Sequence, residues 1–189
     1  MLIKSVTKEE KLMLENKFGR VDLEEDENPR LRFQVGMLDR FDHCLSESEA
    51  EQLLTPQSNL KHEPYFLKVF REMYLLNKSE VYVFSKELLD PENFNFKLLR
   101  KHLNEKDYKI LRSLVKNKEA LLKIKDYEML SFFVRFSINT ICFSNFFFTR
   151  IGTAIIGNYD MSFPIYCLQE ESFNESLRIA REHNLYIRR

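Results

Sequence analysis

A thiol, an imidazole and two carboxylates stand close together in the chain as Asp39, Asp42, His43 and Cys44. A histidine can take the proton of a neighbouring cysteine, and carboxylates can orient the imidazole or join it around a cation. The chemistry open to this cluster is therefore that of a thiol nucleophile or a metal site. Nearness in sequence does not put side chains in one pocket, and His62, His102 and His183 complete no fourfold ligand spacing. The structural reading of the cluster is preferred, with no catalytic set and no metal ligand assigned.

Other chemical signatures are absent. The four glycines, at 19, 36, 152 and 157, cannot build a phosphate loop or a dinucleotide turn, and there is no zinc-binding His-Glu-x-x-His, no Gly-x-Ser-x-Gly and no calcium loop. Adjacent carboxylates such as Glu24 and Glu25 lie in strongly acidic sequence, where repulsion raises a pKa only if the fold gathers and buries them. No cofactor is implied. Cys44, Cys142 and Cys167 are too few and too widely spaced for a disulfide scaffold or a paired zinc pattern, which points to a reducing cytosol. Cys142 and Cys167 sit in apolar segments and read as small buried residues.

Charge is the strongest large-scale pattern. The formal net charge is zero, yet residues 22–51 hold ten acidic and three basic side chains, and residues 97–125 hold ten basic and three acidic ones. Local charges near −7 and +7 are thus concealed by the total. Within the basic segment, Lys109, Arg112 and Lys116 recur at intervals of three and four, opposite Tyr108, Leu111 and Leu114. A helix would make that basic side continuous in space. Such a side is most simply a solvated face. Its functional readings are a protein-binding surface or, with less support, a nucleic-acid-binding one, since a recognition helix also needs residues aimed at base edges.

The elements that would position these groups follow from caps and periodicity. Thr7 with Glu10 predicts a helix over about Lys8–Phe18 closed by Gly19, with Leu14 and Phe18 inward. The acidic run Val21–Asn28 reads as a solvated loop, and Leu31–Leu38 as either a strand or a short helix. Ser46 with Glu49 predicts a brief helix ending before Pro56, and Pro64 then opens a helix carrying Phe66, Val69, Phe70 and Met73 on one side. Glu80–Phe84 is a short strand, and Ser85 begins a short helix that Pro91 limits. Phe94–Leu103 is moderately helical, Asn104 caps a helix through Val115, and Lys118–Lys125 reads as one more short helix.

The apolar, aromatic stretch Tyr127–Leu168 must supply much of the core. Asp126 caps a helix over Tyr127–Ser137, while Ile141–Phe148, Thr153–Ile156 and Ser162–Cys167 read as strands, with Pro164 favouring an edge or a strand beginning for the last. Ser172 with Glu175 leads into a C-terminal helix with Phe173, Leu177 and Ala180 inward. The run Leu130–Ile156 has about the length of a membrane span, but Arg135, Asn139, Asn145 and Arg150 interrupt it. No secretory leader is recognisable in MLIKSVTKEEKLML.

These features predict a cytoplasmic α+β domain spanning 1–189. A small mixed sheet from the C-terminal half packs against several helices, with a helix-rich part (1–126) and an apolar strand and helix region (127–189). The expected function is a non-enzymatic protein-interaction or regulatory module, such as an inhibitor or immunity-like protein, whose partner is another protein. The alternatives are nucleic-acid binding through the basic helix, with Lys109, Arg112 and Lys116 as the contact residues in either case, or a small hydrolase without a local motif.

Overall fold

A computed structural model describes residues 3–25 and 28–189. Among them are eight strands, in the order β1-β4-β3-β5-β6-β7-β2-β8, and every neighbouring pair is antiparallel. The strands are β1 (Ile3–Ser5), β2 (Gln34–Asp39), β3 (Val81–Phe84), β4 (Leu121–Ile124), β5 (Asn145–Phe148), β6 (Thr153–Ile156), β7 (Phe163–Cys167) and β8 (Tyr186–Arg188). The helices are α1 (Lys8–Phe18), α2 (Glu47–Leu53), α3 (Pro56–Leu76), α4 (Phe96–His102), α5 (Glu105–Asn117), α6 (Tyr127–Ile138) and α7 (Glu170–Glu182). The architecture is α+β, an open sheet with several helices, and the sheet takes strands from both ends of the chain.

The sheet is covered unequally. Helices α3, α5, α6 and α7 bury their apolar sides on one face, where Phe66, Phe70, Leu111, Phe133, Phe146 and Phe173 belong to one cluster. Phe70 is at its centre, 4.8 Å from Phe146, 6.1 Å from Phe148 and 6.5 Å from Phe163 between ring centroids. Among the described residues, the other face carries α1 and short turns, joined through Leu14, Phe18, Phe33, Tyr82, Phe147 and Tyr166. Alternation along each strand makes this division: in β4, Leu122 and Ile124 enter the first cluster while Leu121 meets the second.

Local chemistry starts and stops these elements. Thr7 Oγ1 accepts from the Glu10 amide at 3.2 Å, and Glu10 accepts from the Thr7 amide at 3.0 Å, a complete capping box for α1. Gly19, at φ 87°, ends the helix by donating to the Glu15 carbonyl. Glu10 also holds α1 to the sheet. It accepts from Lys123 at 2.7 Å and from the Tyr82 hydroxyl at 3.0 Å, and the Lys123 hydrogen bond leads in pulling its pKa down to about 2.

Three expectations are corrected. The helix placed at Pro64 begins at Pro56, behind a Thr55 cap, and carries Pro64 in its interior. Pro64 removes one helical donor on a side where it and Leu60 are exposed, so water can satisfy the freed carbonyl. The segment Lys118–Lys125 is not a helix: Lys118, at φ 52°, ends α5, and Leu121–Ile124 becomes β4 between β1 and β3. Of the two places expected for Pro164 the strand beginning is the one found: β7 is internal, and Pro164 is its second residue, where the β6–β7 pairing has stopped at Ile155 opposite Ile165. Finally, α7 starts at Glu170, so Ser172 lies inside it and caps nothing, and Glu175 pairs with Arg178. Strand β2 resolves the ambiguous segment in favour of a strand.

Candidate functional site

Helix α5 presents the predicted basic residues as expected from their spacing. Lys109, Arg112 and Lys116 are all exposed, while Leu111, Leu114 and Val115 are buried. Asn104 caps the helix by accepting from the Asp107 amide at 2.8 Å. Asp107, almost fully buried, then receives Asn104 Nδ2 at 2.8 Å and Arg135 Nη2 at 3.2 Å, which ties α5 to α6.

The basic surface extends beyond α5. Tyr108 has the Arg100 guanidinium 4.8 Å and the Arg112 guanidinium 6.0 Å from its ring centroid, so α4 and α5 contribute cations to one surface. Lys97 and Lys101 of α4 are also exposed. Lys109 donates to Glu105 at 2.8 Å within its own helix, and that hydrogen bond lowers the Glu105 pKa. Among the described residues, no carboxylate lies within ion-pair distance of Arg100, Arg112 or Lys116.

Among the described residues, no ion pair joins the two oppositely charged segments. The described pairs made by the basic segment are Lys109 with Glu105, Lys106 with Glu128, Lys123 with Glu10 and Glu80, and Lys125 with Glu80. Acidic groups of residues 22–51 turn elsewhere: Asp22 to Lys86, Asp39 to Arg188, and Asp42 and Glu49 to His43.

Beside the basic surface, between α4 and α6, lies an apolar cavity of about 410 Å³. Leu98, Leu99, Leu103, Phe136 and Ile141 line it, with the Asp107–Arg135 pair, His102 and Asn139 as its polar groups. Leu98 is 51% exposed at its edge. The pair also borders a smaller cavity of about 240 Å³ on the α6 side, near Lys106 and Glu128. Sequence reading missed this groove because its walls come from three helices whose packing no local spacing reveals.

The cluster at His43 and Cys44 does reach a cavity. Asp42, His43 and Cys44 share about 400 Å³ with Arg181, Tyr186 and Arg188. The thiol and the imidazole are not coupled in it, however. His43 Nδ1 is 2.7 Å from Asp42 and Nε2 is 3.5 Å from Glu49, and the Asp42 contact leads in raising the imidazole pKa. Cys44 Sγ instead lies 2.6 Å from Arg188 Nη1. His43 is thus not placed as the base of Cys44, and the cluster forms no thiol–imidazole pair. Cys142 and Cys167 are buried, and burial drives both thiol pKa values up. No group of three or more His, Cys, Asp or Glu side chains among the described residues could hold a metal ion.

No described helix is long and apolar enough to cross a membrane: the Leu130–Ile156 run divides into α6, β5 and β6. Comparison of this chain with protein-family models, with curated proteins and with solved structures finds no match.

Proposed function

We propose that this chain is a non-enzymatic, cytoplasmic protein-interaction module of the regulatory, inhibitor or immunity-like kind, and that α4 and α5 receive an acidic surface of another protein. The observation that carries this reading is the exposed set of cations on α4 and α5, of which Arg100, Arg112 and Lys116 have no carboxylate within ion-pair distance among the described residues, beside an apolar groove. Cations at the rim accelerate encounter with an acidic partner, and apolar side chains such as Leu98 supply contact area that outlasts it. The engagement of His43 by two carboxylates rather than by Cys44 weighs against the hydrolase alternative.

The test is a native pull-down from the source cell's lysate with wild-type chain and with Lys109→Gln, Arg112→Gln, Lys116→Gln combined, at low and high salt and after nuclease. A partner retained after nuclease by the wild type, weakened by salt, and lost with the triple variant is the expected result. Recovery that disappears on nuclease treatment transfers the same three residues to nucleic acid, and retention by the triple variant removes them from the interface.

A further inference from the structure

Four rings gather in a notch of about 380 Å³: Phe143, Tyr159, Pro164 and Tyr166. Phe143 and Tyr159 meet edge to face, with centroids 4.7 Å apart at 68°. Tyr166 is backed by Phe33, stacked at 5.3 Å, so the floor is rigid. Tyr159, by contrast, is 64% exposed, the most exposed aromatic ring among the described residues.

The backbone that presents Tyr159 is strained. Asp160 and Met161 follow it at φ 59° and 57°, two consecutive left-handed residues of which neither is glycine. The segment is pinned on both sides: Gly157 donates to the Ser144 carbonyl at 2.8 Å, and Met161 is fully buried in the main core. The fold therefore maintains a costly turn whose outward product is a ring that adds little to the core. Asn158 and the Tyr159 hydroxyl have no hydrogen-bond partner among the described residues and stand at the notch as free donors.

We infer that this notch binds a proline-rich, basic segment of a partner protein in the polyproline II conformation. Such a segment has no internal hydrogen bonds and repeats every three residues, so it offers proline rings for aromatic walls and open carbonyls for donors. Asn158 and Tyr159 supply those donors, while Phe143, Tyr159, Pro164 and Tyr166 supply the walls. Glu24 lines the notch and Asp160 is exposed next to it, two carboxylates that favour arginine or lysine on the ligand.

The experiment is calorimetric titration of the full chain with a synthetic peptide of about twelve residues having proline at every third position and two arginines. Parallel titrations use a peptide with every proline changed to alanine and one with both arginines changed to glutamate. Saturable binding of the first peptide is expected, weakened at least about tenfold by either peptide change and by Tyr159→Ala, whose fold is checked by circular dichroism. The triple α5 variant is expected to bind it as the wild type does, which separates this site from the α4–α5 proposal. No saturation at about 1 mM peptide, equal binding of the alanine peptide, or undiminished binding by folded Tyr159→Ala overturns the inference. Equal binding of the alanine peptide would identify a site for basic chains of any conformation instead.

Discussion

Replacing Glu10 with glutamine tests whether α1 is held to the sheet by charge. Glutamine can still complete the capping box, so the helix start is preserved and only the charge is removed. The Glu10 pKa falls from 4.5 to about 2, led by the Lys123 hydrogen bond and then by the Thr7 amide. At about 1.4 kcal/mol per tenfold, that difference corresponds to about 3 kcal/mol. The side chains of Glu10 and Lys123 are 25% and 16% exposed, and solvent screening reduces the figure to about 2 kcal/mol. The variant does not strand a buried cation, because Lys123 keeps Glu80 at 3.1 Å. The sign follows from the depressed pKa. The stabilisation is fully present above pH 4.5, where the unfolded carboxyl is also ionised, and is lost as the pH falls from there through about 2. Urea unfolding followed by circular dichroism, at neutral pH and at steps below pH 4.5, should show Glu10→Gln less stable than wild type by about 2 kcal/mol at neutrality. The two should converge towards pH 2. A difference that stays constant with pH, or one within about 0.5 kcal/mol at neutrality, would refute the electrostatic account and leave α1 held by its other contacts, the burial of Leu14 and Phe18 among them.

Two further changes probe packing. Phe70→Ala removes the ring that touches Phe146, Phe148 and Phe163 and should cost about 3–5 kcal/mol, read as a lower urea midpoint; a loss under about 1 kcal/mol would mean that the core collapses into the space. Gly157→Ala places a Cβ 2.6 Å from Ser137 Oγ and 3.0 Å from the Ser144 amide nitrogen. It should destabilise the chain by about 1–3 kcal/mol and shift the nuclear magnetic resonance signals of Tyr159 and Phe143, and unchanged signals would show that the neighbouring helix end yields freely.

The parts of the fold legible in the sequence are those written in local chemistry. The Thr7–Glu10 and Ser46–Glu49 boxes, the Asn104 and Asp126 caps and the aromatic density of residues 127–168 all act within a few positions or through bulk hydrophobicity. What escaped depends on distant partners. Leu121–Ile124 is too short for periodicity to decide between helix and strand, and β3 on one side with β1 on the other makes it a strand. Strands β1 and β8, three residues each, have no signal apart from the neighbours they join. The candidate sites divide in the same way. Lys109, Arg112 and Lys116 were readable because one helix arranges them. The α4–α6 groove and the Tyr159 notch were not, because Arg135 reaches Asp107 across 28 positions and Tyr159 meets Phe143 across a strand pair.

The position of β2 has a consequence for how the chain comes to be folded in the cell. Its neighbours are β7 and β8, so residues 34–39 wait for partners that begin at Phe163, 124 positions beyond Asp39. At about 5–20 residues per second of synthesis, that interval is about 6–25 s. For all of it Val35, Met37 and Leu38 belong to a nascent strand without a sheet, long after α1 and α3 have been able to coil. The sheet is thus completed from its two ends in time, and the last-made segment is the one that closes the gap around the earliest long strand. Pairings of this sequence separation carry a large loop-closure cost and slow the folding of a sheet.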